Sequence, residues 1–267
     1  MTAIQPCSLL LLVGPDWRVE AVSANVAMLG EHKPASVIGQ PLADLIGSKA
    51  IHSLRNRLAW LASDESEVQD YGAEWGGVTL DLRAIRGNDS YLIEAELAVE
   101  PRLPDGIGMV RSMSDRLAGS DPIGLANQAM LQVAALTGFE RIILSDRNGQ
   151  PIASNGKLES AIGCEVVKQA KLIADRESEP VALLGDETSK LLARAAYLAP
   201  AAEECERFEK LGLAAALNLP LRIDGELMAG LHAFHSAPRR TGAERRSVAH
   251  LFAERLVARM ARHGWTP

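Results

Sequence analysis

Two pairs of strand-length segments, each folded about a tight turn, set the architecture open to this chain. Residues 78–85 alternate apolar and polar side chains, Arg86-Gly87-Asn88-Asp89-Ser90 supplies a turn, and residues 91–99 return in the same rhythm. Far downstream, residues 213–223 and 226–234 flank Asp224-Gly225, a dipeptide suited to a two-residue hairpin. Between the pairs, Pro101-Arg102-Leu103-Pro104-Asp105-Gly106 sets two prolines close together and stops the preceding strand. That stretch is the expected domain boundary. Each half then needs its own antiparallel sheet and its own core. A chain of 267 residues, 47% hydrophobic and 23% charged, is long enough for both.

In the first half an apolar run at 8–13 ends at Gly14-Pro15-Asp16, and a short strand follows at 18–22. Helical pieces come next at 26–29, 41–46 and 51–61, the last with Leu54, Leu58 and Leu61 spaced for one buried face. The second half opens with helices at 107–117 and 125–136. Asp121-Pro122 stands at the entrance of the second as an N-cap followed by an N1 proline. Strands at 141–144 and 151–153 flank the Asp146-Arg147-Asn148-Gly149 turn, and a helix is expected over 161–174 before the hairpin. The terminal segment 243–261 is a strong helix, with Val248, Leu251, Phe252, Leu256 and Met260 along one apolar stripe. Such a stripe either packs on its own sheet or forms a dimer or partner interface, and the reading favours the interface.

The formal charge of −6 argues against a nucleic-acid surface. The one dense basic patch, Arg239-Arg240 with Arg245-Arg246, is interleaved with Glu244 and reads as a helix start. Cys7, Cys164 and Cys205 have no paired spacing, so neither a disulfide framework nor a metal site is expected. Leu9-Leu10-Leu11-Leu12-Val13 is too short for a signal peptide or a membrane span, which points to a cytoplasmic protein. His232 and His235 lie three apart on an expected strand and so point to opposite faces. Glu203-Glu204 with Glu206 and Glu209 reads as a solvated helix face, and no phosphate loop is present. No catalytic constellation emerges, and no enzyme is expected.

Thr137-Gly138-Phe139-Glu140-Arg141-Ile142 resembles the phrase Thr-Gly-Phe-Asp-Arg-Val, with which bacterial phytochromes begin the first central strand of their GAF domain. The first half is similar to the same family. Ile4-Gln5-Pro6 begins its Ile-Gln-Pro-His-Gly phrase, and Val22-Ser23-Ala24-Asn25 and Gly39-Gln40-Pro41-Leu42 match two later phrases. Leu211-Gly212-Leu213, Asp224-Gly225 and His235, which aligns with the second histidine of the family's Cys-His-His ending, extend the resemblance through the second half. It implies an α+β chain of antiparallel sheets flanked by helices: a PAS domain over residues 1–101, a GAF domain over 102–242, and a C-terminal amphipathic exit helix over 243–267. The family's PHY and kinase domains have no counterpart here.

The departures cluster where that family holds its bilin. The upstream arm with its attachment cysteine is missing, and Cys7 is displaced from that position. The pocket tyrosine is replaced by Ser145, and the Asp-Ile-Pro phrase by Ala161-Ile162-Gly163. The histidine of the Ser-Pro-x-His-Leu phrase falls at Ala202 or Glu204. The resemblance therefore implies a remnant pocket at Ser145, Ala161, Ile162, Gly163 and His235, with no covalent bilin and no resident cofactor. The alternative is noncovalent biliverdin or haem. Without an output domain, a signal leaves by docking to a protein: a haem oxygenase, a two-component kinase or response regulator, or a second copy in a homodimer.

Overall fold

The computed structural model describes residues 2–61, 67–75, 77–156, 163–165 and 167–267. Strands β1 (Ala3–Ile4), β2 (Ser8–Val13) and β3 (Val19–Ser23) open the chain. A 3₁₀ turn at Ala24–Leu29 and helices α1 (Pro34–Val37), α2 (Ala43–Ile46) and α3 (Ser48–Ala59) lead to β4 (Glu67–Trp75), β5 (Val78–Arg86) and β6 (Tyr91–Leu97). Then come α4 (Gly106–Asp115), α5 (Pro122–Thr137), β7 (Arg141–Asp146), β8 (Pro151–Ser154), β9 (Lys171–Ile173) and β10 (Val181–Gly185). A second 3₁₀ turn (Lys190–Arg194), α6 (Ala202–Lys210), β11 (Ala215–Ile223), β12 (Glu226–His235) and α7 (Ala243–Arg262) complete it.

The chain divides into two units, and the division is not linear. Met1–Ala98 and Ser178–Ala199 form the first unit, and Val99–Glu177 with Pro200–Pro267 form the second. The excursion at 178–199 was expected inside the GAF domain of residues 102–242. It leaves that unit because β10 slots between β1 and β3, giving the antiparallel order β1-β10-β3-β2-β6-β5-β4. β4 also escaped the sequence reading. Its charged residues and Gly72 hide the alternation, and a bulge between Asp70 and Ala73 breaks its pairing with β5.

The insertion explains why β2 is apolar without alternating. Leu9, Leu11 and Val13 enter the core beneath the helices, where Leu54, Leu58 and Ile51 of α3 also pack. Leu10 and Leu12 face the other way, against Ile85, Leu92, Leu183, Leu191 and Leu192. A strand covered on both faces has no side left for polar residues.

The same cover buries charge. Glu94 and Glu96 fall on the polar beat of β6, yet both are about 5% exposed or less. Glu94 Oε1 accepts from the backbone N–H of Ala196 at 2.8 Å and of Tyr197 at 3.2 Å. Its other oxygen pairs with Arg83 at 2.5 Å, and Arg83 also reaches Glu67 and the Arg194 carbonyl. The Tyr197 hydroxyl donates to Glu96 at 2.7 Å. Burial opposes the charge on Arg83, but Glu94 and Glu67 outweigh it and raise its pKa. Carboxylates at these positions thus hold down a segment a hundred residues away.

The second unit carries the antiparallel sheet β8-β7-β12-β11-β9. Helices α5 and α7 pack against the sheet, and α4 packs on α7. α5 starts as expected, with the Asp121 carboxylate accepting from Gly124 N at 2.7 Å and Pro122 at N1. It ends at Gly138, whose φ of 73° is the left-handed stop that favours glycine. The helix expected over 161–174 does not form in the described part of that stretch. Residues 163–165 and 167–170 have no helix, and Lys171–Ile173 is the strand β9, which pairs with Ala216–Asn218.

The stripe on α7 is core, which corrects the interface assignment. Val248, Phe252, Leu256 and Met260 are between 0% and 6% exposed, and only Leu251 shows, at 45%. Helix and sheet of the same unit already cover that face. The nearby arginines close backbone ends: Arg245 donates to the carbonyls of Leu136 and Pro101, and Arg246 to that of Thr241.

Candidate functional site

The sheet of the second unit has one face toward α5 and α7 and another toward α6. On the α6 side Phe208 meets Phe234 edge-to-face at 6.3 Å, within a cluster of Ile143, Ile173, Leu213 and Ala216. Strand pairing sets Ile143 opposite His232, Ser145 opposite Gly230, and Asn218 opposite His232. Ser145, His232 and Asn218 therefore point to the same face as Phe234.

There they form a closed polar chain. Ser145 Oγ lies 2.9 Å from His232 Nε2, and His232 Nδ1 lies 3.0 Å from Asn218 Oδ1. The serine hydroxyl also reaches the Asp146 carbonyl at 3.1 Å. Ser145 and His232 are fully buried, and Asn218 is nearly so. Gly230 makes the space: a Cβ there would stand 2.6 Å from His232 Nε2 and 3.0 Å from Ser145 Oγ. Serine, histidine and amide in series superficially match an activated nucleophile. Here the hydroxyl has no solvent contact and a second acceptor in the Asp146 carbonyl, so the chain is a satisfied buried network rather than a reactive one.

Burial lowers the His232 pKa from 6.5 to about 4. The folded ring is neutral at pH 7, whereas the unfolded chain takes up a proton near 6.5. Between these values the unfolded state binds more protons, so stability is complete above about pH 6.5 and falls as pH drops toward 4. The expected loss is on the order of 3 kcal/mol. Urea unfolding of the wild type and of His232→Gln at pH 7 and pH 4.5 checks this. The gap between the two proteins should narrow by about 2 kcal/mol at the lower pH; a constant gap would deny the histidine this role.

Of the residues expected to form the pocket, Ser145 is in the polar chain. Ala161 and Ile162 lie outside the described residues. Gly163 is exposed in an irregular stretch. His235 does not join Ser145, a correction to the expected grouping. It lies on the opposite pleat, edge-on to Phe139 at 6.3 Å, with Nε2 3.1 Å from an Arg239 nitrogen and Nδ1 accepting from Ala237 N at 3.0 Å. The cause is the β7–β12 register, which sets Ser145 opposite Gly230 and leaves His235, five residues on, facing the other way. Separately, a bulge between Leu221 and Arg222 shifts the β11–β12 register by one residue. A one-residue slip moves every side chain to the other face. The unbulged hairpin would have set Leu217, not Asn218, opposite His232. The bulge has no distinct signature here, so His232 and Asn218 were missed.

Cys164 is half-buried beside the Phe208 cluster, and burial pushes its thiol up to about 11. Among the described residues no group of three or more His, Cys, Asp or Glu side chains is placed to hold a metal ion. No helix among them is long and apolar enough to cross a membrane.

Residues 1–98 match the PAS-fold family. Among solved structures, the chain is similar to the chromophore-binding domain of an unusual bacteriophytochrome from R. palustris: 21% identity, a TM-score of 0.76, and coverage of 98% of this chain and 95% of that one. The wild-type chromophore-binding domain of a Stigmatella aurantiaca phytochrome gives 19% identity and a TM-score of 0.76, covering 96% and 95%. Against a longer structure of the R. palustris protein, at 21% identity and a TM-score of 0.77, the match covers 98% of this chain and 59% of that one. No curated protein matches in sequence. The chain thus has a phytochrome-like PAS–GAF core.

Proposed function

We propose that this chain is a phytochrome-like sensory or regulatory protein that has lost covalent bilin attachment and acts by docking to another protein. The observation that carries the reading is the closed Ser145–His232–Asn218 chain beside the Phe208–Phe234 contact. Ser145 stands where the family keeps a pocket tyrosine, and its hydroxyl and the His232 ring are used up on each other. A bilin does not fit residues arranged this way, because seating one would break buried hydrogen bonds and separate packed aromatic rings. On this reading the protein has no resident cofactor and no catalytic role.

Docking is supported by apolar surface on the helical side of the second unit. Ile107 on α4, Leu131 on α5 and Leu251 on α7 are 65%, 58% and 45% exposed. Where such side chains gather into one patch, they favour a partner. The phytochrome-like core points to a haem oxygenase, a two-component kinase or response regulator, or a second copy of the chain.

Attachment is tested by incubating the protein with biliverdin, denaturing it and staining with zinc. No fluorescent band is expected. A band that disappears in Cys7→Ser would overturn the reading and make Cys7 the attachment point.

A further inference from the structure

A groove on the first unit combines features that the PAS–GAF reading leaves unused. It has a volume of about 550 Å³ and lies between the turn after β2 and the first half of α3. Trp17, only 8% exposed, contributes to its lining, and Pro41, Ala43 and Ile51 add apolar surface. Lys49, His52 and Arg55 of α3 also line it, with Arg55 lying over the Trp17 ring.

Trp17 is held there against its own preference. Its φ of 65° is left-handed, a region that bulky residues avoid, and such strain collects at ligand clamps. Two backbone bonds fix it: Trp17 N donates to Gly14 O at 2.9 Å, and its carbonyl accepts from Leu42 N at 2.8 Å. The ring rests on Tyr91, centroids 4.8 Å apart, and the Arg55 guanidinium sits 4.6 Å from the Trp17 ring centroid. A guanidinium stacked on an aromatic face keeps its N–H edge for a planar anion.

The charges of the groove are unbalanced in one direction. Among the described residues neither Arg55 nor Lys49 has a carboxylate partner, and the first turn of α3 has no acidic residue. The one acidic lining residue, Asp16, is drawn to Arg18 at 3.5 Å and accepts from Arg18 N at 3.2 Å. His52 Nε2 is engaged by the Asn56 side-chain amide at 3.0 Å.

We propose that this groove binds a small organic anion, with a carboxylate or phosphate on Arg55 and Lys49 and a flat apolar body along Pro41 and Ala43. Guanidinium recognises either head group bidentately, and a groove of this size holds a small-molecule ligand. The site is independent of the sheet face on which the bilin reading rests.

Amide and indole NMR shifts of the full chain test it, with phenyl phosphate, benzoate and inorganic phosphate as probes. Phenyl phosphate or benzoate should give saturable shifts at the Trp17 indole and at Ser48–Arg55, at least tenfold tighter than inorganic phosphate. Which of the two aromatic probes binds tighter identifies the head group. Arg55→Gln, at an exposed position, should weaken binding about tenfold while leaving the remaining spectrum unchanged. Shifts that never saturate, or that are the same in Arg55→Gln and Lys49→Gln, would overturn the proposal.

Discussion

Leu256→Glu is expected to unfold the second unit, whereas Leu251→Glu, five residues earlier on the same helix, should leave it folded. Leu256 is 1% exposed on α7, a helix covered by α4, α5 and the sheet. The substitution removes a buried leucine, a loss of about 2–5 kcal/mol. It also forces a carboxylate into a place with no described partner, at a further cost of several kcal/mol. Together these reach the whole stability of a typical domain, about 5–15 kcal/mol. Leu251 is 45% exposed, and a charge there should change stability by no more than about 0.5 kcal/mol. Circular dichroism and thermal melts separate the outcomes. A folded Leu256→Glu protein would return the stripe to an interface role. If α7 also helps to dock a partner, Leu251→Glu is the variant that should lose binding without losing structure.

Glu94→Ala should release the segment at 178–199 from the first unit. It leaves the N–H groups of Ala196 and Tyr197 without their acceptor and removes one of the two carboxylates around the buried Arg83. Breaking a buried ion pair from one side costs about 3–5 kcal/mol. Hydrogen exchange should accelerate through 181–199, reaching β10, while the helices of the second unit exchange as before. Glu94→Gln keeps an acceptor oxygen for the two amides and should fall between wild type and alanine. Wild-type exchange in Glu94→Ala would mean that apolar burial of Leu183, Leu191 and Leu192 alone secures the segment.

What the sequence disclosed follows the range of the interactions involved. The β5–β6 pair was readable because its turn and its alternation are local. The start of α5 was readable because Asp121 and Pro122 act within one turn. The position of β10 was not, because its partners Ala21–Ser23 lie about 160 residues away in the chain and nothing within 181–185 names them. The stripe on α7 was visible as a pattern, but a pattern cannot say what covers it.

The candidate site was half legible for a related reason. Ser145 was found because a local phrase placed it on β7. The pairing of His232 with Asn218 depended on a bulge that shifts the β11–β12 register by one residue. The buried glutamates make the same point from the other side. Glu94 and Glu96 sit on the polar beat expected of a solvated strand, and only the segment above them turns that beat into a set of buried contacts.

The proposed function requires that the sheet face bearing Ser145 and His232 be closed to a bilin. The most direct measurement is the absorption spectrum of the folded, purified chain titrated with biliverdin. A closed face predicts the spectrum of free biliverdin at every ratio, with no red-shifted band and no change on red illumination. A saturable red band that persists through gel filtration and is altered by Ser145→Ala or His232→Gln would contradict it, and would place a chromophore where the closed polar chain now lies.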